Sequence, residues 1–217
     1  MGAKEKPKPS FTIEHREVAQ IGQPIAGVDE AGRGPLAGPV IAAAVIFPRH
    51  VLNSGLPAPL SDLNDSKVLN ETTRESLFDS IRKVCCVGIG MADVERIDRD
   101  NILNATMWAM RQAVNALGES PALVLVDGNR CPEFNCPTRC VIKGDSKSLT
   151  ISAASIVAKV TRDRIMVRLA HDYPNYGFEV HKGYATKSHL SALDRFGPTE
   201  VHRKSFRPVQ LARTDNA

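Results

Sequence analysis

No stretch of the 217 residues approaches the roughly 20 consecutive apolar residues of a membrane-spanning helix. The opening "MGAKEKPKPS" is basic but lacks the apolar segment of a secretory signal. It is a weak match to a myristoylation start, because Lys6 stands where Ser or Thr is wanted. A secreted disulfide framework is absent too: the five cysteines are odd in number and Cys85 and Cys86 are adjacent. A reducing cytoplasm is the simpler setting. Cys131, Cys136 and Cys140 have no fourth ligand nearby, which argues against structural zinc and for a loop with scattered thiols. No internal repeat is present.

What remains fits one domain. With 42% hydrophobic residues the chain can bury a proper core. The net charge of +4 permits a polyanionic partner without demanding one. Residues 1–12 read as a flexible Lys/Pro-rich tail and 209–217 as a second tail, leaving 13–208 as the folded unit. Its C-terminal part, about 171–208, reads as small and helical.

Apolar, β-branched runs predict strands over 25–30, 38–48, 85–92, 122–128 and 138–144. The first three follow closely enough for an antiparallel meander. The run 122–128 is almost wholly apolar, as for a strand buried on both faces. Helical periodicity predicts helices over 70–84, with Thr72 and Glu75 as a capping box, over 93–117, over 149–170, and over 187–196, capped by Thr186. This order gives an α/β fold with a central mixed five-stranded sheet flanked by helices.

The strands end on acids. Asp29 and Glu30 close the first, Asp127 closes the fourth and Asp145 follows the fifth. If those ends lie side by side, four carboxylates converge on one edge of the sheet. Clustered carboxylates repel one another and need a counter-charge, and a hard divalent cation with oxygen ligands supplies it. Such sites are typical of phosphoryl-transfer enzymes. The loop Gly32, Arg33, Gly34 follows two of these acids. Its bare backbone lets a sugar hydroxyl approach, and Arg33 has the reach for a phosphate.

The segments "GVDEAGRGPLAGPVIAAAVI", "LNDSKVLNETTRESLF", "NILNATMWAMRQAV", "LVDGN", "VIKGDSKSLTISAASIVAKVTRDR", "YPNYGFEVHKGYATKSHL" and "GPTEVHRKSF" run in order from about residue 25 to 208. In them the chain resembles the bacterial ribonucleases HII, the type 2 ribonucleases H. It departs at Val68, where the family often has a second Lys, and at Ser146, where it often has Ala. The resemblance implies a ribonuclease H-like fold and the acids Asp29, Glu30, Asp127 and Asp145 as catalytic ligands of Mg²⁺ or Mn²⁺. It implies hydrolysis of the RNA strand of RNA–DNA hybrids and incision at single ribonucleotides in duplex DNA, leaving 3′-hydroxyl and 5′-phosphate ends. It further implies that Gly32, Arg33 and Gly34 sense the 2′-hydroxyl and that Tyr184 stacks on the sugar at the ribo–deoxyribo junction. The 2′-hydroxyl is what separates RNA from DNA at a given position.

Lys67 and Ser146 are expected to contact the substrate backbone. His181 reads as structural or electrostatic, Asp163 as the salt-bridge partner of a nearby Arg, and Trp108 as a packing residue. The enzyme is expected to be a cytoplasmic monomer with no membrane partner.

Overall fold

The computed structural model describes residues 8–214. A five-stranded sheet has the order β3-β2-β1-β4-β5. Strands β1 (Ile25–Ala31), β2 (Val40–Ile46) and β3 (Cys86–Ala92) form the expected antiparallel meander. Strands β4 (Leu123–Asp127) and β5 (Thr138–Val141) join parallel to β1. The sheet is therefore mixed, with one meander edge and one parallel edge.

Helices cover both faces. Helix α4 (Val94–Asn115) packs Ala105, Ala109, Met110 and Ala113 onto Val28, Val40, Ala44 and Val126. On the opposite face, α3 (Glu71–Val84) and α5 (Leu149–Asp172) enclose Ile41, Ala43 and Val45 with Phe78, Ile81, Ile156 and Val157. The start of α5 lies directly against β1. An ideal Cβ on Gly27 would stand 2.3 Å from the Thr150 carbonyl carbon, so a side chain there would push α5 off the sheet.

Several boundaries differ from the sequence reading. The first tail stops short of residue 12: Ser10 bridges Ser148, Phe11 is buried against Phe47, and α1 (Thr12–Ile21) docks on the core. Residues 1–7 of that tail lie outside the described residues. The second tail is likewise shortened. Helix α8 (Arg207–Thr214) buries Val209 and Ala212 in a cluster with Leu36, Met166, Phe178 and Leu193; residues 215–217 lie outside the described residues. The cap of α3 is Asn70, whose side chain accepts from the Thr73 amide, in place of the Thr72–Glu75 box. The helix read over 93–117 is broken at Asn101, which has φ 64°, and its Oδ1 caps the second segment by accepting from the amides of Leu103 and Asn104. Two short helices, α2 (Arg49–Ser54) and α6 (Phe178–His181), and α7 (Lys187–Phe196) complete the chain. Thr186 caps α7 as expected.

The cysteines of the 131–140 loop are not all free thiols. Cys131 and Cys140 are joined by a disulfide, and Cys136 is free. No helix among the described residues is long and apolar enough to cross a membrane.

Candidate active site

Because β1, β4 and β5 run parallel, their C-terminal ends share one edge of the sheet, and loops beyond that edge converge. The register pairs Val28 with Val126, so Asp29 and Asp127 leave adjacent strands at the same level. After β5 the chain passes through Lys143, in the left-handed region at φ 55°, into a 3₁₀ turn, Gly144–Ser146. That turn returns Asp145 to the strand ends. It is tied there by the Gly144 amide, which donates to Asp127 Oδ1 at 2.6 Å.

Asp29, Asp127 and Asp145 each present a carboxylate oxygen such that all three lie within 4.8 Å of one another. Asp29 and Asp145 are buried. Glu30 does not join this trio. Alternation along β1 sends it to the other face of the strand, where its carboxylate accepts from Arg33 at 3.2 Å. It nevertheless lines the same cleft, beside Asp29 and Asp127. Of the four acids, three converge and the fourth flanks them.

The electrostatics follow from this crowding. Burial, then the charges of Glu30 and Asp127, push the Asp29 carboxyl well above the usual range, against the Glu30 amide that donates to it at 2.7 Å. Burial also raises Glu30, despite the Arg33 guanidinium. Asp127 is raised by burial, with the Gly144 amide opposing. Lys67 provides part of the missing positive charge: its Nζ stands 2.7 Å from Asp145 Oδ2. Burial lowers the lysine, but the bond and charge of Asp145 outweigh it and the net shift is upward. A cluster of oxygen-only donors, short of positive charge, is the donor set that suits a hard divalent cation.

The cleft beside the acids has a volume of about 260 Å³ and is rimmed by Gly32, Arg33, Gly34, Lys67 and Tyr184. Gly34 and Tyr184 are neighbours, since an ideal Cβ on Gly34 would lie 3.6 Å from the Tyr184 ring. Two buried arginines hold this rim. Arg162, on α5, donates to the carbonyls of Ala37, Pro39 and Lys182 at 2.9–3.0 Å. Arg203 donates to Gly32, Arg33 and Gly38 carbonyls at 2.6–3.0 Å. Neither guanidinium has a carboxylate in contact among the described residues. Burial lowers Arg162 to about 10; burial and the nearby Arg162 lower Arg203 to about 9. Both remain cationic at neutral pH, and each gathers loop carbonyls that would otherwise be buried without a donor.

These two arginines escaped the sequence reading. Arg162 did leave a signal: Ala154, Ala158, Met166 and Ala170 are all buried, and Arg162 occupies the same i, i+4 stripe. A charge in the middle of an apolar stripe implies an internal partner. Arg203 lies in a segment without periodicity and gave none. Ser66 and Ser155, which bond each other at 2.8 Å at the cleft floor, were also missed.

Ser146 turns its hydroxyl to the Lys143 carbonyl at 2.9 Å, closing its own turn, and is not among the residues rimming the cleft. His181 is buried; its Nε2 donates to the Tyr176 carbonyl at 2.7 Å. Asp163 pairs with Lys159 at 2.7 Å rather than with an arginine. Trp108 packs beneath the Arg96 guanidinium, 4.0 Å from its ring.

Residues 26–209 match the family model described as Ribonuclease HII. A curated ribonuclease HII of Bradyrhizobium sp. (strain ORS 278) is 52% identical over 205 residues, 94% of this chain and 72% of that protein. The crystal structure of the ribonuclease H2 from Pyrococcus horikoshii OT3 superposes with a TM-score of 0.72 at 25% identity, over 88% of this chain and 97% of that one. A ribonuclease HIII crystallised in complex with Mn²⁺ shares the fold, with a TM-score of 0.68 at 18% identity, over 91% of this chain and 72% of the other. A chain that carries its acids on the parallel edge of this sheet, and matches the family along nearly all of its folded length, belongs to the ribonuclease HII family and is a ribonuclease H enzyme.

Proposed function

We propose that this enzyme, an endoribonuclease of RNA–DNA hybrids, also incises duplex DNA at single embedded ribonucleotides in a divalent-metal-dependent reaction. The products carry 3′-hydroxyl and 5′-phosphate ends. The observation that carries the reading is the carboxylate trio Asp29, Asp127 and Asp145, with oxygens within 4.8 Å, of which Asp29 and Asp127 line a cleft rimmed by Gly32, Arg33, Gly34 and Tyr184.

The trio, with Glu30 beside it, would hold Mg²⁺ or Mn²⁺. The bound cation supplies activation of water and stabilisation of the leaving oxygen. The protein's own groups do the rest. The Gly32–Arg33–Gly34 backbone, free of side chains at both glycines, receives the ribose and its 2′-hydroxyl. Arg33 and Lys67 face the cleft mouth and bind phosphate. Tyr184, 45% exposed, offers its ring to the sugar at the ribo–deoxyribo junction. Ser146 supports Asp145 by closing the turn that carries it. The enzyme acts as a cytoplasmic monomer on RNA–DNA hybrid and ribonucleotide-containing duplex.

The test offers duplex DNA carrying one ribonucleotide, an RNA–DNA hybrid and an all-DNA duplex, each with Mg²⁺, Mn²⁺ or chelator. Cleavage 5′ of the ribonucleotide and within the hybrid, none of all-DNA, and none in chelator is expected. Cleavage of all-DNA duplex, or full activity in chelator, refutes the reading.

A further inference from the structure

Three histidines meet behind Tyr184: His181 on α6, His189 on α7 and His202 in the following loop, all buried. Their hydrogen bonds leave one consistent set of protons. The Thr199 amide donates to His202 Nδ1 at 3.0 Å, so that nitrogen is an acceptor and the His202 proton sits on Nε2. His202 Nε2 lies 3.1 Å from His189 Nε2 and donates to it. The His189 proton then sits on Nδ1, which donates to the Tyr184 carbonyl at 3.0 Å. The same carbonyl accepts from the Thr186 amide at 2.8 Å. A chain of donors thus runs from Thr199 through two neutral imidazoles to the backbone of the residue that rims the cleft.

We propose that His189 and His202 are positioning residues for substrate selection: as a neutral relay they fix the Tyr184 carbonyl, and with it the ring at the cleft mouth. The proposal rests on the reading of Tyr184 as the junction-contacting residue. Charging His189 would set two N–H groups face to face at the Nε2–Nε2 contact, and charging His202 would set a new Nδ1–H against the Thr199 amide; either breaks the relay. The surroundings oppose that charge. His189 is stacked on His181 with ring centroids 4.6 Å apart and meets the edge of Phe178. His202 lies against Tyr176, 4.9 Å between centroids, and precedes the buried cation Arg203. Burial, then the charge of His189, holds His202 at about 4, and burial lowers His189. The relay therefore stays intact across neutral pH.

The experiment compares kcat/KM for a duplex with one ribonucleotide against an RNA–DNA hybrid, which has no internal junction. His189→Phe keeps a ring and removes the donor; it should lose about tenfold on the single ribonucleotide, the loss of about one good hydrogen bond, and much less on the hybrid. His189→Asn, which restores an N–H toward the carbonyl, should recover most of that loss. Adding His189→Phe to Tyr184→Ala should cost little more, because the relay acts only through that ring. The wild-type preference should be flat from about pH 6 upward. An unchanged preference in folded His189→Phe, no rescue by Asn, or additive losses in the double variant overturns the proposal. Nitrogen-15 NMR of the wild type tests the relay without any variant: Nδ1–H on His189 and Nε2–H on His202 are expected. The opposite tautomer, or a charged ring at pH 7, overturns it. If the stated tautomers are found but the wild type cuts only the hybrid, the junction reading of Tyr184 is what has failed.

Discussion

The two glycines of the Gly32–Arg33–Gly34 loop should respond oppositely to the same substitution. Gly32 has φ 97°, and an ideal Cβ there would fall 2.0 Å from Arg162 Nε, 2.4 Å from its Cδ and 2.8 Å from the Pro39 carbonyl oxygen. Placing a methyl in the left-handed region costs about 1–2 kcal/mol. The methyl also displaces Arg162, whose Nε and Nη2 donate to Pro39 and Ala37 at 3.0 Å. Hydrogen bonds from a charged group are worth about 1.5–3 kcal/mol each. Losing one of them brings Gly32→Ala to about 3–5 kcal/mol of destabilisation, and losing both to about 4–8 kcal/mol. For a chain of this length the smaller loss alone is a fall in Tm of roughly 6–20 °C. Gly34 is not among the positive-φ glycines, and a Cβ there meets only the Tyr184 ring at 3.6 Å. Gly34→Ala should stay within about 1 kcal/mol of wild type, while its methyl narrows the cleft and cuts single-ribonucleotide cleavage about tenfold, one lost favourable contact. Thermal and urea melts, read beside cleavage assays, separate the two. Equal stability of Gly32→Ala and wild type, or an equal loss at both positions, would refute the reasoning.

Asp29→Asn should fold normally and lose cleavage by on the order of 10³-fold, and added Mg²⁺ should no longer raise its Tm; cleavage rates and melting with and without metal check both. The chelated protein should show a specific pH dependence. The Asp29 carboxyl is raised in the folded state, so the folded protein binds its proton more tightly than the unfolded chain. That stabilisation is complete below the ordinary carboxylate value of 3.8 and is lost as pH rises through the elevated folded value. A pH series of melts in chelator should fall over that window for wild type and fall less steeply for Asp29→Asn, in which Glu30 and Asp127 remain raised. Glu14→Ala tests the docked N-terminus. Glu14 Oε1 accepts from Ser148 Oγ at 2.6 Å and the Thr150 amide at 3.0 Å, and leaving those buried donors unmet should cost about 2–4 kcal/mol, measured by urea denaturation.

The strands and the long helices were legible because their residues obey the periods of a sheet and a helix with one apolar side. Helix α1 was not, because it inverts the pattern: its buried residues are Glu14 and Glu17. Burial of those acids is set by partners far along the chain, Ser148 and Thr150 for Glu14 and Arg139 for Glu17. Val209 and Ala212 were read as tail because two small apolar residues in a polar stretch carry no signal until Phe178 and Leu193 are seen beneath them.

The same division holds at the site. That acids would stand at the ends of apolar strands, next to a glycine loop, was determined by local sequence, since strand length and turn residues are local properties. Which of those acids meet was decided by tertiary structure. Parallel pairing of β1 with β4 levels Asp29 with Asp127, the turn after β5 returns Asp145, and strand alternation holds Glu30 to one side. The arginines and histidines behind the loop belong wholly to that second level. A buried charge or a neutral imidazole is defined by the groups that face it: for the histidines these come from the turns between neighbouring short helices, and for the arginines largely from a loop more than a hundred residues away, as in the contact of Arg203 with Gly32.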